Sequence, residues 1–369
     1  MVKSQTIPPS VKKRITQADL ARLTGVSQAV VSAVLNDNFK NIGVSPVVAK
    51  RIRLKAESLG YRVNSGARAM RMRQNFNLGY FVAMGQAPRL ECDNPEYRAG
   101  VYDRAAALDY HISMIRLAPL GSTMEQAIPK AFREGHLDAL LINQYIGLNP
   151  ELDHAITTSD FPVVVLNDKH PINAVYPDEI AAASQMTEYL IAQGYRRITF
   201  LAEQISGSHY SEHDRWEGHM LAMVKHGLRP VFQPLPIGDI KKRQTSLQDW
   251  LRSDQRPEAV LCADDYYALR VQMSAAEIGL RYPDDFALAS VGKEPSLEEY
   301  FRVPLTTMLL PRYEMATAAV TMAIAMVNAA VSLNQPAQVF QSQLCPGESA
   351  PACNSEQQSG EILKNSVAR

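Results

Sequence analysis

The segment ITQADLARLTGVSQAVVSAVLN, residues 15–36, constrains the fold most because it carries the signals of two short helices joined by a tight turn. Thr16 can cap the first helix, and Asp19 stands three residues later, as in a capping box. Gly25 can end that helix, and Ser27 can cap a second one. The pattern predicts a helix-turn-helix whose second helix enters a DNA major groove.

Apolar residues recur at helical spacing in this part of the chain and predict the core of a small domain. A third helix should begin at Pro46 with Ser45 as its cap, run to about Ser58 and stop at Gly60. The residues expected to supply the core are Ala18, Leu20, Ala21, Leu23, Val30, Val31, Val34, Leu35, Val47, Ile52, Ala56 and Leu59. The side chains left for the outer face of the second helix are Gln28, Ala29, Ser32 and Ala33.

Charge is divided unevenly along the chain, although the formal net charge is zero. Residues 1–73 contain 14 Lys and Arg but only three Asp and Glu, a net charge of +11, so residues 74–369 carry −11. A basic segment favours phosphate contacts, whereas an acidic one is repelled by the same polyanion. The distribution supports nucleic-acid binding by residues 1–73; the alternative is a basic terminus that is merely solvated.

Length and composition fit a small N-terminal domain followed by a large core. No apolar run reaches transmembrane length, and residues 1–14 lack the apolar region of a secretory signal, so we expect a cytoplasmic protein without membrane contact. The cysteines are widely scattered, without paired spacing, and we expect neither a disulfide nor a metal site.

From Leu78 onward, strand-like apolar runs alternate with helical patterns, which predicts a core of two doubly wound α/β lobes, the second beginning beyond about Asn173. Ligands bind at the carboxyl ends of strands in such sheets, so residues that follow strands are the functional candidates. The predicted strands cover residues 78–83, 111–116, 139–142, 163–166, 198–202, 259–262 and 287–291. The predicted helices cover residues 97–108 and 123–133 and start near Asp178, Ser211, Gln244 and Asp264.

Several separated motifs resemble the LacI/GalR family of transcription regulators, over residues 15–348. The N-terminal ones are DLARLTGVS, VVSAVLN and LGY; those of the core are YLIAQGYRRITFLA, RWEG, EAVLCADDYYAL, EIGLRYPDDFALASVG and VPLTTMLLPRYEM. Each is weak alone, but their order and separations agree. The resemblance implies a DNA-binding head, a hinge helix, a two-lobed core like that of a periplasmic sugar-binding protein, and a homodimer.

The resemblance places Gln28 and Ala29 where the family reads base edges. Their chemistry suits this role, because a glutamine amide pairs with adenine and an alanine methyl contacts the thymine methyl. Ser32 and the backbone amides near Thr16 and Ser27 are expected to hold phosphates, which fix register without reading sequence.

Three positions of the head depart from the family pattern, one of them Val30, which replaces a residue that commonly carries a hydroxyl. Ala33 replaces an arginine with which many members grip guanine, so a strongly discriminating contact is lost. Val63 replaces the usual proline before the hinge.

The hinge is expected in residues 64–74, where Asn64 can cap a short segment from which Arg68 and two further arginines project. So short a helix is marginal alone, and its folding would be coupled to DNA binding; the alternative is a permanently disordered tether. Asn64 and Ala67 match the family. Met70 stands where the family usually has leucine and would part a base step from the minor groove, unless it packs against the partner hinge instead.

For the effector site, the resemblance points to Asp178, Arg215, Asp264 and Glu294, on both sides of a cleft between the lobes. Carboxylates accept hydrogen bonds from sugar hydroxyls, and a guanidinium holds vicinal oxygens or a carboxylate. Asp264 replaces a family asparagine and Glu294 a family aspartate, so we expect a more charged pocket than that of a neutral sugar. The alternatives are helix caps for Asp178 and Asp264 and a surface ion pair for Arg215.

These features together predict a transcriptional regulator, most simply a repressor, that binds a pseudo-palindromic operator as a homodimer. A small polar effector, a sugar or sugar derivative, would control its affinity, as inducer or as corepressor. The alternative is a sugar-binding receptor-like protein without specific DNA readout. No nucleophile elbow or phosphate-binding glycine loop is recognised, so we expect neither catalysis nor a cofactor.

The chain is accordingly divided into a flexible arm (residues 1–14), a helix-turn-helix domain (15–63), a hinge (64–74), a two-lobed core (75–348) and a disordered polar tail (349–369). The apolar helix expected over residues 313–331 is open to two interpretations, burial in the core or a contribution to the dimer face.

Overall fold

The computed structural model describes residues 15–36, 39, 42–62, 65–83, 94–115, 134–144, 161–203, 209–236 and 239–352. Contacts divide the chain into two units, residues 1–75 and 76–369, which we call the head and the core. The arm, Asn64 of the hinge, the helix predicted over residues 123–133 and the tail beyond residue 352 lie outside the described residues.

The head contains the predicted helix-turn-helix. Thr16 caps the first helix by accepting the Asp19 amide at 3.2 Å, and the Asp19 carboxylate accepts the Thr16 amide at 3.0 Å, so the capping box forms as predicted. Gly25 ends the helix with φ +68°, a left-handed conformation that favours glycine. The helices of the head are α1 (Gln17–Thr24), α2 (Gln28–Leu35), α3 (Pro46–Ser58) and α4 (Ser65–Met72).

The predicted core of the head is largely confirmed. Leu20, Val31, Val34 and Ile52 are completely buried, where α1, α2 and α3 meet. The prediction was wrong for Val47, which is 78% exposed. Val47 lies in the first turn of α3, where the buried face is carried by Ala49, Ile52 and Ala56 instead.

Three further residues of the head differ from expectation. Ala18 and Leu23, both predicted for the core, are exposed, because the buried face of α1 is carried by Leu20, Ala21 and Thr24. In the loop after α2, Phe39, which was not among the predicted core residues, packs against the head core, and the Arg53 guanidinium lies 5.2 Å from the centre of its ring. A cation over an aromatic face stabilises this packing, so the loop contributes to the domain.

The core has two sheets, each covered by helices, which confirms the predicted pair of α/β lobes. Lobe 1 contains a parallel sheet of order β11-β5-β4-β3-β1-β2. Its strands are β1 (Asn77–Ala83), β2 (His111–Ile115), β3 (Ala139–Gln144), β4 (Val163–Leu166), β5 (Ala174–Pro177) and β11 (Gln338–Phe340).

Lobe 2 contains a sheet of order β12-β10-β9-β8-β6-β7, parallel except for β12. Its strands are β6 (Ile198–Glu203), β7 (Val231–Leu235), β8 (Ala259–Cys262), β9 (Ala287–Val291), β10 (Thr306–Leu309) and β12 (Gln343–Cys345). The helices of the core are α5 (Pro95–Ala107), α6 (Glu179–Ala192), α7 (Tyr210–Lys225), α8 (Ile240–Arg252), α9 (Asp265–Glu277) and α10 (Arg312–Val327), with a short 3₁₀ helix at Pro295–Tyr300.

The chain does not divide into lobes at a single point. The predicted start of lobe 2 beyond Asn173 comes too early, because β5 belongs to the sheet of lobe 1. Helix α10 also belongs to lobe 1, where Met315, Ala319 and Ala323 are completely buried against its sheet. Of the two interpretations of this helix, burial in the core therefore describes it.

The predicted tail also begins too early. Ser349 and Ala350 are completely buried in lobe 2, and the Ser349 hydroxyl donates to the carbonyl of Leu288 at 2.6 Å. The Tyr195 hydroxyl donates to the carbonyl of Pro351 at 2.7 Å. Because these contacts bury the backbone beyond residue 348, residues 349–351 belong to the core.

Glycine permits the closest helix contact in each lobe. A Cβ atom at Gly218 of α7 would lie 2.2 Å from the Ile180 carbonyl oxygen of α6, and one at Gly100 of α5 would lie 2.5 Å from the Tyr313 carbonyl oxygen of α10. No side chain fits at such distances, so both helix pairs depend on glycine. In the part of the chain that the structure describes, no helix is long and apolar enough to cross a bilayer.

Candidate functional site

The first candidate site is the outer surface of α2 in the head. Gln28 and Ala29 are exposed in its first turn, and Ser32 and Ala33 are half-buried one turn later. Ser27 caps the helix by accepting the Val30 amide at 3.3 Å. The first turn therefore presents the Gln28 amide to solvent, the orientation that reading a base edge requires.

The C-terminal ends of the first two helices are held by arginines of α3. Arg51 donates to the carbonyl of Thr24 at 3.1 Å, and Arg53 donates to the carbonyl of Val34 at 3.5 Å. These positive groups lie where helix carbonyls lack internal partners, so they stabilise α1 and α2 by satisfying the helix ends.

The hinge candidates lie on α4, which forms the predicted helix. Met70 is 86% exposed, so its thioether lies on the surface of this helix, and the Arg68 side chain is half-buried. Ala67 lies on α4, but its side chain is outside the described atoms.

The second candidate site is the cleft between the lobes, and Arg215 of α7 is its best-defined member. Its Nε and Nη2 donate to the two carboxylate oxygens of Glu179 at 2.7 and 2.6 Å, and its Nη1 donates to the carbonyl of Ala263 at 2.7 Å. Both side chains are buried. Burial alone would lower the pKa of Arg215, but the Glu179 carboxylate outweighs burial and raises it. The predicted surface ion pair is thus a buried, bidentate one.

The two aspartates predicted for the cleft both cap helices. The Asp178 carboxylate accepts the Ala181 amide of α6 at 3.0 Å and the Gln341 side-chain amide at 3.2 Å. The Asp264 carboxylate accepts the Tyr267 amide of α9 at 2.9 Å, and burial raises the pKa of Asp264. A capping carboxylate keeps lone pairs for a further donor, so the role of cap and a role in binding are compatible.

Glu294 joins the two lobes. Its carboxylate accepts the Asn94 side-chain amide of lobe 1 at 2.7 Å and the Ser296 hydroxyl of lobe 2 at 2.9 Å. Its amide donates to the Asp265 carboxylate at 2.9 Å. Because Asp265 directly follows Asp264, this bond fixes Glu294 beside the first turn of α9.

Asp265, which the sequence analysis did not single out, organises this edge of lobe 2. Its carboxylate accepts the hydroxyls of Ser290 and Thr307, which lie on β9 and β10. Burial raises the pKa of Asp265 to about 6. The residue is a positioning group for Glu294 rather than a part of the open cleft.

Three of the predicted residues thus come together at the carboxyl ends of β8 and β9. Arg215 bonds the backbone next to Asp264, and its guanidinium lies beside Gly292, two residues before Glu294. Asp178 lies at the crossover from β5 to α6, adjacent to the partner of Arg215. Sequence reasoning missed Glu179, and the only available signal was its acidic type in the first turn of a helix.

Lobe 1 provides neutral groups on its side of the cleft. Tyr97 donates its hydroxyl to the Asn167 side-chain oxygen at 2.9 Å, and the Asn167 side-chain amide donates to the carbonyl of Gln144 at 2.7 Å. Asn167 and Gln144 lie at the carboxyl ends of β4 and β3. Sequence reasoning identified these strand ends as a class without naming their side chains.

His209 connects lobe 2 to this group. Its Nε2 lies 2.6 Å from the carbonyl of Asn167, and its Nδ1 lies 2.8 Å from the Ser211 hydroxyl. Burial lowers the pKa of His209 to about 4, so the ring is neutral at neutral pH. The Nε2–H therefore donates to the carbonyl, and Nδ1 accepts.

One group of possible metal ligands lies close to the cleft among the described residues. His213, Asp214 and Glu217 offer ligand atoms within 4.8 Å of one another on α7. The Lys169 ammonium already lies 2.8 Å from the Asp214 carboxylate and neutralises it, so the group is better described as an ion pair between the lobes.

Comparisons with known proteins agree with this architecture. A family model described as a periplasmic binding protein-like domain matches residues 187–350. The crystal structure of the lac repressor dimer bound to operator and the anti-inducer ONPF aligns with a TM-score of 0.74 at 20% identity, over 92% of this chain and 100% of that one. A CelR–cellobiose complex aligns with a TM-score of 0.62 at 19% identity, over 91% and 100% of the two chains.

Curated relatives extend over the head as well as the core. The regulator RegA of Clostridium saccharobutylicum is 25% identical over 90% of this chain and 98% of its own length. The regulator GalR of Escherichia coli is 27% identical over 85% and 89% of the two chains. Both relatives are transcriptional regulators of the helix-turn-helix type, and the alignments extend over most of each chain. Together, the family model, the curated relatives and the structural neighbours support a transcriptional regulator of the LacI/GalR family.

Proposed function

We propose that this regulator is a homodimeric repressor of a pseudo-palindromic operator, controlled by a small polar ligand that binds between lobe 1 and lobe 2. The observation that carries the proposal is the convergence of Arg215, Asp264 and Glu294 at the carboxyl ends of two strands, facing neutral donors of lobe 1. Such a convergence of polar groups suits a hydroxyl-rich ligand, a sugar or sugar derivative. The likeness to a cellobiose complex supports the same class.

In the head, Gln28 and Ala29 would read base edges, while Thr16, Ser27 and Ser32 would place the backbone of α1 and α2 against phosphates. Ala33 offers only a methyl contact, so readout at its position would be weak.

In the hinge, Asn64, Ala67, Arg68 and Met70 would lie against the minor groove. The 86% exposure of Met70 supports the wedge, because an apolar side chain on a helix surface is available for insertion between bases.

Control would follow from a difference in affinity between two arrangements of the lobes. The lobes meet through separable contacts, among them Asn94–Glu294 and His209–Asn167. A ligand that binds one arrangement better shifts the population toward it and thereby changes the pairing of the two hinges on DNA. A ligand that favours the DNA-incompetent arrangement is an inducer, and the opposite preference makes a corepressor.

The test is selection of bound sequences from a random duplex library by the full-length protein at two salt concentrations. We expect a pseudo-palindrome whose half-sites lie about one helical turn apart. Gln28→Ala should change the selected base at one symmetric pair of positions and weaken operator binding by about 1–3 kcal/mol. Leu54→Ala, which alters an exposed apolar residue of α3, is the matched control and should leave the selected sequence unchanged.

Recovery of only salt-sensitive, unpatterned DNA from both wild type and Gln28→Ala would contradict the proposal. It would favour the alternative, a sugar-binding receptor-like protein without specific readout.

A further inference from the structure

We propose that the cleft selects a ligand that carries a protonated amine, such as an amino sugar, over a neutral or an acidic one. This inference rests on the proposed function, since it takes the cleft to be the effector site. It comes from the distribution of charge around Arg215, Asp264 and Glu294.

The Arg215 guanidinium is not available as an anion receptor. Glu179 binds it in a bidentate arrangement at 2.6–2.7 Å, and the carbonyl of Ala263 takes a third N–H. Its positive charge is therefore neutralised inside lobe 2. The remaining N–H groups can donate to a hydroxyl, but a ligand carboxylate would also meet the nearby Glu179 charge.

The other cations around the cleft are also paired. Arg270, which acts electrostatically on Asp264, lies 3.8 Å from the carboxylate of Glu203. His209 is neutral at neutral pH because burial lowers its pKa to about 4. The remaining pairs are Lys169 with Asp214 at 2.8 Å, Lys293 with Glu298 at 3.3 Å, and Arg312 with Glu96 at 3.1 Å.

Asp264 and Glu294 have no directly paired cation. In the described part of the chain, neither forms an ion pair; Asp264 accepts a backbone amide, and Glu294 accepts a side-chain amide and a hydroxyl. Arg215 and Arg270 act on Asp264, and Arg312 acts on Glu294, but each of these arginines is bound to another carboxylate. Glu294 is 8% exposed. A carboxylate held away from water without a directly paired cation is costly, so a ligand ammonium would be stabilised at this edge of lobe 2.

The titration of Asp264 is consistent with this charge balance. Burial raises the pKa of Asp264, whereas a bound ammonium would lower it by favouring the ionised form. Binding of an amine should therefore become weaker as the pH falls far enough to protonate this carboxylate. Asp265 and Glu212 add further negative charge from neighbouring positions in lobe 2.

The experiment is equilibrium dialysis of the full-length protein against an equimolar mixture of glucose, glucosamine and glucuronate, and of the corresponding galactose series. We expect the amino sugar of at least one series to be retained at least tenfold above its neutral and acidic counterparts. Asp264→Asn should abolish that preference, and asparagine still caps a helix. Asp249→Asn, the same change at an exposed position of α8, is the matched control and should keep it.

A second variant tests the role of the ion pair. Glu179→Gln leaves the Arg215 charge unneutralised and should move the preference toward the uronate. Absence of a preference for the amino sugar in both series, or stronger retention of a neutral or acidic sugar, would overturn the inference. Failure of the protein to select any operator would instead overturn the proposed function, independently of the dialysis result. If a neutral sugar released the operator, the proposed function would stand and the inferred selectivity for an amine would be refuted.

Discussion

The two sides of the cleft are built from different chemistry. Lobe 2 contributes Arg215, Asp264 and Glu294, all charged, whereas lobe 1 contributes mainly amide and phenol groups such as Asn94 and Tyr97. The described residues include one ion pair that crosses the cleft, Lys169–Asp214, and its lysine side chain is about half exposed. Neutral hydrogen bonds and exposed ion pairs contribute about 1 kcal/mol or less each, so these contacts between the lobes are individually weak. A stronger contact is made by the buried Arg312 of lobe 1, which donates to the carbonyl of Lys293 in lobe 2 at 2.6 Å.

The largest expected effect comes from breaking the buried charge pair of lobe 2. Arg215→Ala leaves the Glu179 carboxylate buried without a cation, and the free energy of unfolding should fall by about 3–5 kcal/mol. Urea unfolding followed by circular dichroism measures it. Lys225→Ala is the matched control, because Lys225 and Glu188 are also 2.6 Å apart but are exposed, and its cost should stay below about 1 kcal/mol. Equal costs for the two variants would refute the distinction between buried and exposed pairs.

An intermediate effect is expected where His209 of lobe 2 meets lobe 1. The pKa of His209 in the folded chain is about 4, below its ordinary value of 6.5, so between these two pH values His209 is protonated mainly in the unfolded chain. The contribution of His209 to the free energy of unfolding is therefore complete above pH 6.5 and is lost as the pH falls toward 4. Because the side chain is partly exposed, we expect the loss to be about 2 kcal/mol.

Replacement of His209 isolates this effect. In His209→Gln, the new side chain can still donate to the carbonyl of Asn167 but cannot titrate. Between pH 7 and pH 4, the free energy of unfolding of the variant should therefore fall by about 2 kcal/mol less than that of the wild type. His219, whose pKa burial lowers to about 3, leaves a remaining slope of the same sign in both proteins. Identical pH profiles for wild type and variant would show that His209 titrates normally.

The smallest effect is expected on the neutral side. Tyr97→Phe removes the hydroxyl that donates to Asn167 at 2.9 Å and should cost about 1 kcal/mol of unfolding free energy. Tyr102→Phe on the same helix, where the side chain is 41% exposed, is the control and should cost little. A loss at Tyr97 as large as that of Arg215→Ala would show that both sides of the cleft are equally fixed.

The head was predictable from sequence because its signals are local. A cap, an acidic residue three positions later and a terminating glycine specify α1 within ten residues, and the structure shows the same bonds. Val47 was misplaced because the first turn of α3 contains two valines in a row, and it is Val48 rather than Val47 that packs against the head core. The burial of Phe39 was missed because loop composition gives no information about the direction of one side chain.

The lobes were predictable where strands are fully buried. The strands β3, β4, β8 and β9 are buried at every residue and are mostly apolar in sequence. The edge strands β7, β11 and β12 are partly exposed, so their sequences lack that signal. The return of α10 to lobe 1 depends on contacts across the whole core, which periodicity does not encode.

Residues of the cleft could be predicted from the sequence, but their hydrogen-bond and ion-pair partners could not. The resemblance identified Arg215 and Glu294, yet their partners Glu179 and Asn94 are, respectively, 36 and 200 residues away in sequence. Pairings over such separations follow from how α6, α7 and the lobes pack. The pairing of Arg215 with Glu179, which neutralises the guanidinium, is therefore visible only in the folded chain.

The discontinuous path of the chain has a consequence for synthesis. Helix α10 and strand β11 complete lobe 1, yet both are translated after almost all of lobe 2. A nascent chain that has emerged only to residue 300 can form the head, because the contacts of the head are local. In the same chain, the apolar surface of lobe 1 that α10 covers and the edge of β5 that pairs with β11 are still exposed. The head is thus the first part that can fold on the ribosome, and lobe 1 remains dependent on protection from aggregation until residues 312–340 have emerged.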